Sequence, residues 1–231
     1  MRYEKKYTFS IEFLDEIRES LRHSSFIFND AFPKRRVNSL YLDTIGFEDY
    51  RNNLDGVSDR SKTRIRWYTE KGKSHCDDNT EFRLEVKLRK NALGEKIVHK
   101  IRLPKDTING SSIKLINCLI ENVPDNFKPF LTPCSLLSLG VSYDKEYYQS
   151  KSIDLRCTID SGLTFWDPMD GWWTLNSEFS PVSYPMEYGV LEMKFGPDVY
   201  DLVANGLESL FQKVSSGRHS KYAVGRAIIH R

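Results

Sequence analysis

Residues 81–89 read Glu-Phe-Arg-Leu-Glu-Val-Lys-Leu-Arg, and this stretch decides the fold class. Successive side chains of a β-strand point to opposite faces, so the apolar side chains from Phe82 to Leu88 share one face. The charged side chains between them share the other face: Glu81, Arg83, Glu85, Lys87 and Arg89. An antiparallel sheet commonly buries one face and leaves the other polar. The stretch therefore predicts an amphipathic strand of such a sheet.

The same alternation recurs in distant parts of the chain. Charge pairs such as Arg64-x-Arg66 and Glu192-x-Lys194 lie on the polar faces of the predicted strands. Because the opposite faces are apolar and must also be covered, this pattern favours charged faces that converge on an interior. A solvent-exposed face with cross-strand ion pairs, each worth under about 1 kcal/mol, is the alternative. The further predicted strands are 2–9, 37–43, 61–68, 95–103, 139–149, 154–160 and 188–195.

Helical spacing of apolar residues occurs over 11–23, 111–121 and 198–215, and 47–56 is predicted to be a short helix or turn. No internal repeat or linker divides these elements, so the sequence predicts one domain over residues 1–231. The strands are too frequent and too amphipathic for α/β alternation. We therefore expect an α+β fold, in which a closed antiparallel eight-stranded β-barrel has helices packed outside it.

The composition narrows the class of function. The chain is 39% hydrophobic and 13% aromatic, which suffices for a packed core. Charged residues make up 29%, yet the net charge is only +2, so a generic nucleic-acid binder with a clear basic excess is disfavoured. The four cysteines form no C-x-x-C pair, and no apolar run reaches the roughly 20 residues that cross a bilayer. We therefore expect a cytoplasmic protein without a membrane segment.

An interior lined with cations and a few carboxylates suits a polyanion and its metal ion. Burying several cations together is costly unless an anion compensates them. Arginine binds phosphate through its guanidinium fork, and lysine supplies a point charge. Carboxylates such as Glu85 and Glu192 fit beside phosphate if they hold Mg²⁺ or Mn²⁺. Positioning, charge neutralisation and a metal ion are what phosphoryl transfer requires.

Other catalytic chemistries are poorly represented. The chain has no G-x-x-x-x-G-K-[ST], G-x-G-x-x-G or G-x-S-x-G motif, and its five histidines lack the spacing of metal ligands. His99 lies on an apolar strand face and is expected to pack. His219 stays open between a structural and a ligand role. The Trp172–Trp173 pair stays open between a loop anchor and a site for a base or a partner.

Seven short motifs occur in order from residue 2 to residue 222. They are Tyr3–Tyr7, Ser39–Thr44, Lys62–Tyr68, Leu84–Lys87, Arg156–Asp160, Val190–Phe195 and Ser220–Tyr222. This ordered set resembles the VTC domain, the polyphosphate-polymerase domain first known from the yeast vacuolar transporter chaperone complex. That domain belongs to the triphosphate tunnel metalloenzyme superfamily, alongside the CYTH-type triphosphatases. The resemblance covers essentially the whole chain.

The resemblance implies a tunnel of eight antiparallel strands that binds a triphosphate unit together with Mn²⁺ or Mg²⁺. Glu192 is implied as the main metal ligand and Glu85 as a weaker one. Phosphate contacts are implied for ten residues: Lys6, Arg64, Arg66, Lys87, Lys145, Arg156, Lys194, Arg218, Ser220 and Lys221. A catalytic role is implied for five of them: Arg64, Arg66, Lys87, Lys194 and Lys221.

One motif departs from the family pattern. The family has Tyr-x-Arg before an aromatic pair, whereas this chain has Tyr143-Asp144-Lys145-Glu146-Tyr147-Tyr148. Lysine keeps the positive charge at that position but loses the bidentate fork of arginine. The affinity or the geometry of phosphate binding is therefore expected to differ from that of relatives with arginine.

The expected function is that of a polyphosphate polymerase that uses ATP as phosphoryl donor. A triphosphatase that transfers the same group to water is an alternative, because only the acceptor changes. A non-catalytic module that binds polyphosphate or nucleotide is a third possibility, and it would need the cations but not Glu192. The expected partners are thus ATP or another triphosphate, and polyphosphate, without nucleic acid.

Overall fold

The structure is a computed structural model that describes residues 3–70, 80–91, 93–104, 107, 111–168, 183–207, 210 and 212–230. The Trp172–Trp173 pair lies outside these residues. Within them, ten β-strands and six α-helices form the expected α+β fold. No helix in these ranges is both long and apolar enough to cross a membrane.

The observed strands confirm the strands that were predicted from alternation, and several of them are longer than predicted. The predicted strand at 188–195 has the expected bounds, whereas the strand predicted from Val37 already begins at Phe28. The ten strands are β1 (Tyr3–Ser10), β2 (Phe28–Asp43), β3 (Thr63–Thr69), β4 (Phe82–Lys90), β5 (Leu93–Ile101), β6 (Leu136–Ser150), β7 (Leu155–Trp166), β8 (Ser183–Pro185), β9 (Tyr188–Phe195) and β10 (Ser215–Ser216).

The helices are α1 (Leu14–Arg22), α2 (Glu48–Leu54), α3 (Ser112–Asn122), α4 (Lys128–Leu131), α5 (Tyr200–Gly206) and α6 (Lys221–Ile229). The helix predicted over 198–215 is too long, since α5 ends at Gly206 and Ser215–Ser216 forms a strand. Glycine is a poor helix residue, which fits an end at this position. Helix α6 was not predicted, although Ser220 is a good N-cap residue and accepts a hydrogen bond from the Ala223 amide.

The strands join in one sheet with the order β10-β1-β9-β7-β6-β2-β3-β4-β5, and β8 pairs with β7. The expected closed eight-stranded barrel is therefore wrong, because the sheet has ten strands and is not closed. Its terminal strands have the features of sheet edges: β10 has two residues, and β5 exposes Glu95, Lys96 and Lys100. Alternation along a strand specifies its faces but not the partner at its edge, which explains this error.

The chain divides into two compact units, each built from three segments. The first unit contains Met1–Arg36, Tyr143–Leu163 and Pro185–His219. Its core is formed by Ile17 and Leu21 of α1, with apolar side chains of β1, β7 and β9 around them. The helix thus covers the apolar faces of these strands, and their charged side chains lie on the opposite face.

The second unit contains Val37–Ser142, Thr164–Tyr184 and Ser220–Arg231. Here α3 covers the apolar faces of β3 and β4, so that Leu115 and Leu119 share a core with Ile65 and Leu84. Gly140 is required by close packing in this unit, because a Cβ at this position would lie 1.9 Å from the ring of Trp166. In both units helices cover the apolar strand faces, as the sequence predicted, and the charged faces remain for other contacts.

Candidate functional site: two clusters of cations around buried carboxylates

In the first unit, strand register places opposite charges directly across from each other. On neighbouring strands β1 and β9, Glu4 pairs with Lys194 and Lys6 pairs with Glu192. On the other side of β9, β7 sets Thr158 opposite Glu192, but it also sets Arg156 opposite Lys194, which are like charges that repel each other. Opposed charges on one face of an antiparallel sheet attract each other. The register thus assembles one charged surface, the unit-1 cluster, from Glu4, Lys6, Lys145, Arg156, Thr158, Asp160, Glu192 and Lys194.

Two carboxylates share two lysines in the unit-1 cluster. Lys6 Nζ lies 3.0 Å from Glu4 and 3.7 Å from Glu192. Lys194 Nζ lies 2.9 Å from Glu192 and 3.6 Å from Glu4. Burial by itself would raise the pKa of Glu192, but Lys6, Lys145 and Lys194 outweigh it and hold this pKa well below its usual range. Glu192 therefore stays ionised and able to bind a cation.

Lys145 lies in the middle of the unit-1 cluster. Its Nζ donates to Thr158 Oγ1 over 3.0 Å and contacts the carboxylate of Asp160, a side chain that is 1% exposed. Burial alone would lower the pKa of Lys145, but Asp160, Tyr143 and Glu192 raise it above its ordinary value. The lysine is therefore charged, and its partner Asp160 belongs to the candidate site, although from the sequence Asp160 was placed only within a motif and was assigned no role.

In the second unit, three cations surround one buried carboxylate, and we call this group the unit-2 cluster (Arg64, Arg66, Glu85 and Lys96). Arg64 donates to Glu85 Oε2 through Nε and Nη2, over 2.9 and 2.7 Å. Arg66 Nη1 lies 3.5 Å from the same oxygen, and Lys96 Nζ lies 3.1 Å from Oε1. The Glu85 side chain is 3% exposed. Three cations thus lie around one carboxylate.

The cations of the unit-2 cluster also change the ionisation of their neighbours. Burial would raise the pKa of Glu85, but Arg64, Arg66 and Lys96 lower it to about 2. Arg64 Nη1 donates to the hydroxyl of Tyr41 over 2.9 Å. Burial likewise opposes ionisation of Tyr41, yet Arg64 and Arg66 lower its pKa below the usual value. The cations of the cluster therefore shift both Glu85 and Tyr41 toward their ionised forms.

The N-terminus of α6 lies beside another cation of the second unit. Ser220 Oγ accepts from Lys62 Nζ over 2.9 Å and from Asn53 over 3.4 Å. Sequence motifs had singled out Ser220 and Lys221, but Lys62 was missed as a site residue. The signal was present, because Lys62 shares the polar face of its strand with Arg64 and Arg66. Unpaired amides at a helix N-terminus favour an anion.

In the second unit, hydrogen bonds to the buried carboxylate of Asp43 connect helices α2 and α6. Asp43 is 1% exposed and accepts hydrogen bonds from the amides of Asp49 and Tyr50 at 3.0 and 3.1 Å, and the Tyr222 hydroxyl also donates to Asp43 Oδ2. Burial and the charge of Asp43 raise the pKa of Asp49 to about 7.

The remaining predicted residues differ in exposure. Lys87, Arg156, Lys194 and Arg218 are exposed, whereas Lys6, Arg64, Arg66, Lys145, Ser220 and Lys221 are half-buried. The structure therefore brings Lys6, Lys145, Arg156, Lys194 and Glu192 together in the unit-1 cluster. It brings Arg64, Arg66 and Glu85 together in the unit-2 cluster.

The carboxylates of the unit-1 cluster fit a metal ion that is bound jointly by protein, phosphate and water better than one that is bound by protein side chains alone. Among the residues that the structure describes, no three His, Cys, Asp or Glu side chains lie close enough to hold a metal ion together. Mg²⁺ is usually bound through one or two carboxylates, with phosphate oxygens and water completing its shell. Glu192 and Glu4 contact the same two lysines, and together they provide two carboxylates.

Several solved structures share this fold at low sequence identity. The PH1819 protein from Pyrococcus horikoshii OT3 is 15% identical with a TM-score of 0.51, covering 99% of this chain and 100% of that chain. The candidate adenylyl cyclase HpAC1 from Hippeastrum, described as having a dominant triphosphatase activity, is 16% identical with a TM-score of 0.54, covering 98% and 96%. A candidate adenylate cyclase from Bacillus halodurans is 11% identical with a TM-score of 0.50, covering 95% and 94%.

The comparison with curated proteins finds no match. The family comparison does find one, since the model of the VTC domain matches residues 1–230. This match spans both units and includes every motif on which the sequence resemblance rested. It therefore confirms that resemblance, and the chain belongs to the VTC domain family.

Proposed function

We propose that this protein binds triphosphate groups and catalyses metal-dependent phosphoryl transfer from ATP to a growing polyphosphate chain. The observation that carries the proposal is the convergence of Arg64, Arg66 and Lys96 on the single buried carboxylate of Glu85. Cations grouped on one face of a sheet repel one another and raise the local affinity for an anion. A multivalent phosphate supplies that anion, and membership of the VTC domain family is consistent with it.

Each of the two clusters supplies cations that would bind phosphate. Arginine and lysine side chains neutralise charge on phosphoryl oxygens, which is the main contribution that a protein makes to phosphoryl transfer. We assign this role to Lys6, Lys145, Arg156 and Lys194 in the unit-1 cluster, and to Arg64 and Arg66 in the unit-2 cluster. The remaining predicted residues would add contacts from flanking segments: Lys87, Arg218, Ser220 and Lys221.

Glu192 is the residue that we assign to the metal ion. Its carboxylate is ionised and lies on the same face as the lysines that would hold the phosphates. When bound there, Mn²⁺ or Mg²⁺ would neutralise negative charge on the phosphoryl oxygens. Glu85 is the weaker candidate, because its side chain is only 3% exposed, against 16% for Glu192, and because three cations instead of two lysines contact its oxygens.

The experiment that tests the proposal is incubation of the purified protein with ATP and Mn²⁺, followed by separation of the products on a gel. Long acid-labile phosphate chains are the expected product. Free phosphate without chains would contradict the polymerase and favour a triphosphatase. That second candidate is supported by the shared fold with HpAC1 from Hippeastrum, described as having a dominant triphosphatase activity. Binding of triphosphate without any turnover would instead indicate a receptor.

A further inference from the structure

Beside the unit-1 cluster lies a patch, here called the aromatic patch, that is formed by the exposed Phe32 and the half-buried Arg35 and Tyr147. The Phe32 side chain is 62% exposed, which is unusual for a phenylalanine on a strand. Its ring meets the ring of Tyr147 edge to face, with 5.6 Å between the centroids. Arg35 Nε donates to the Tyr147 hydroxyl over 3.0 Å, and its guanidinium lies 5.1 Å from the Tyr147 ring centroid. Tyr147 is thus fixed on two sides.

The position of Phe32 is also restricted by its own chain. Pro33 follows it directly, and the residue before a proline is confined to extended backbone conformations. The surrounding segment from Asn29 to Lys34 is exposed along β2. The ring of Phe32 is therefore held out toward solvent on a backbone with little freedom. Such a ring loses little conformational entropy when a flat ligand packs against it.

The aromatic patch is continuous with the predicted phosphate-binding cations. Tyr147 and Lys145 are two residues apart on β6 and share its face, and Lys145 Nζ lies 5.9 Å from the Tyr147 ring centroid. The same Nζ reaches Thr158 and Asp160 at the centre of the unit-1 cluster. A ligand that places phosphates against Lys145 would therefore have its next chemical group near Tyr147 and Phe32.

The chemistry of the patch selects one class of ligand. Inorganic polyphosphate carries only charged oxygens, and a phenyl ring has neither a positive charge nor a hydrogen-bond donor that would bind them. A nucleoside triphosphate joins its phosphates through a ribose to a flat base, and any base stacks on aromatic rings and on arginine. Hydrogen-bond donors or acceptors that would read a particular base are not required for stacking. The patch thus suits a nucleobase without strong preference among bases.

We infer that Phe32, together with Tyr147 and Arg35, forms a platform on which the base of a nucleoside triphosphate stacks while its phosphates bind the unit-1 cluster. This inference rests on the proposed function and deepens it, since it identifies the residues that contact the base of the nucleotide donor. Phe32 is then a specificity residue that touches the base and not the reacting phosphates.

The test compares the affinities of ATP and inorganic tripolyphosphate by isothermal titration, with the same Mg²⁺ concentration throughout. We expect Phe32→Ala to weaken ATP binding roughly tenfold, as loss of one base-stacking contact does, and to leave tripolyphosphate binding unchanged. Phe32→Trp should keep or strengthen ATP binding. Tyr200→Ala is the matched control, because Tyr200 is also exposed and also contacts a lysine, Lys5, outside the cluster.

The outcomes separate this inference from the proposed function. Equal affinities of the unaltered protein for ATP and tripolyphosphate, with no effect of Phe32→Ala on either, would overturn the platform and leave triphosphate binding intact. Loss of both ligands in Phe32→Ala would also overturn it, since Phe32 would then support the fold. If the unaltered protein binds neither ligand, the proposed function fails and the platform fails with it.

Discussion

Arg64 donates from both Nε and Nη2 to one carboxylate oxygen of Glu85, over 2.9 and 2.7 Å. These residues lie directly opposite each other on β3 and β4, so the strand register brings them together. A guanidinium that binds a carboxylate through two nitrogens is held in a fixed orientation. Arg64 is therefore oriented before any phosphate arrives, and the interaction has consequences for stability as well as for binding.

Removal of Arg64 should affect stability and ligand binding separately. We expect Arg64→Ala to lower the free energy of unfolding by about 1–3 kcal/mol, because the buried Glu85 loses its main partner. Adding Glu85→Gln to Arg64→Ala should cost less stability than Glu85→Gln does alone, since the Arg64–Glu85 interaction is already lost. Tripolyphosphate binding should stay weak in both variants. Urea unfolding and titration calorimetry measure the two effects, and additive stability losses would contradict the coupling.

Glu192→Gln should separate turnover from phosphate binding. The amide keeps the shape of the side chain but cannot hold a divalent cation as a carboxylate does. We expect turnover of ATP with Mn²⁺ to fall on the order of a hundredfold, while tripolyphosphate still binds through Lys6 and Lys194. Glu187→Gln, at an exposed position of the same unit, is the control. Unchanged turnover in Glu192→Gln would exclude this residue from the metal role.

Lys145 should be needed for folding stability as well as for function. Lys145→Met removes the ammonium group that contacts the buried carboxylate of Asp160, so we expect a loss of about 3–5 kcal/mol in the free energy of unfolding. A second change, Asp160→Asn, should restore part of it. The exposed Lys151→Met serves as control and should change stability little. A stable Lys145→Met protein would show that Asp160 has other compensation.

Acid should destabilise the protein partly through Glu85. The pKa of Glu85 is about 2 in the folded protein, below its value of 4.5 in an unfolded chain. Its contribution is therefore complete above pH 4.5 and disappears as the pH falls toward 2. We expect Glu85→Gln to be less stable near neutral pH and to show a shallower loss of stability over this acid range. Chemical denaturation at several pH values measures both curves, and parallel curves would refute the assignment.

Asp49 should act in the opposite sense. Its pKa is about 7 in the folded protein, above the 3.8 of an unfolded chain, because it is buried beside Asp43. The folded state therefore loses stability as the pH rises from 3.8 to 7, and the loss stays constant above that. Asp49→Asn should remove this dependence and be more stable at pH 8 by on the order of 1 kcal/mol, since Asp49 is only partly buried. Thermal unfolding at pH 5 and pH 8 tests the expectation, with a pH-independent difference as the contrary result.

Much of the candidate site was visible in the sequence because its residues follow a local rule. Alternation along a strand puts Arg64 with Arg66, and Glu192 with Lys194, on one face regardless of what lies opposite. Apolar residues on the other face predict that something covers it, and α1 and α3 do so. The short helix α6 escaped prediction because its apolar pattern is weak and its position depends on contacts of Tyr222 and Arg226 with distant residues.

The sequence by itself determined which side chains share a face, and the ordered motifs determined the family. Only the tertiary structure decided which faces meet, through the register that sets Lys6 opposite Glu192 and Arg64 opposite Glu85. It also decided that the sheet ends at β5 and β10 instead of closing. The physical reason is that a side chain's direction follows from its own backbone, whereas its partner is selected by strand pairing between residues far apart in the chain. The charged residues of 81–89 illustrate both points. Alternation places them on one face, whereas strand pairing buries Glu85 among three cations.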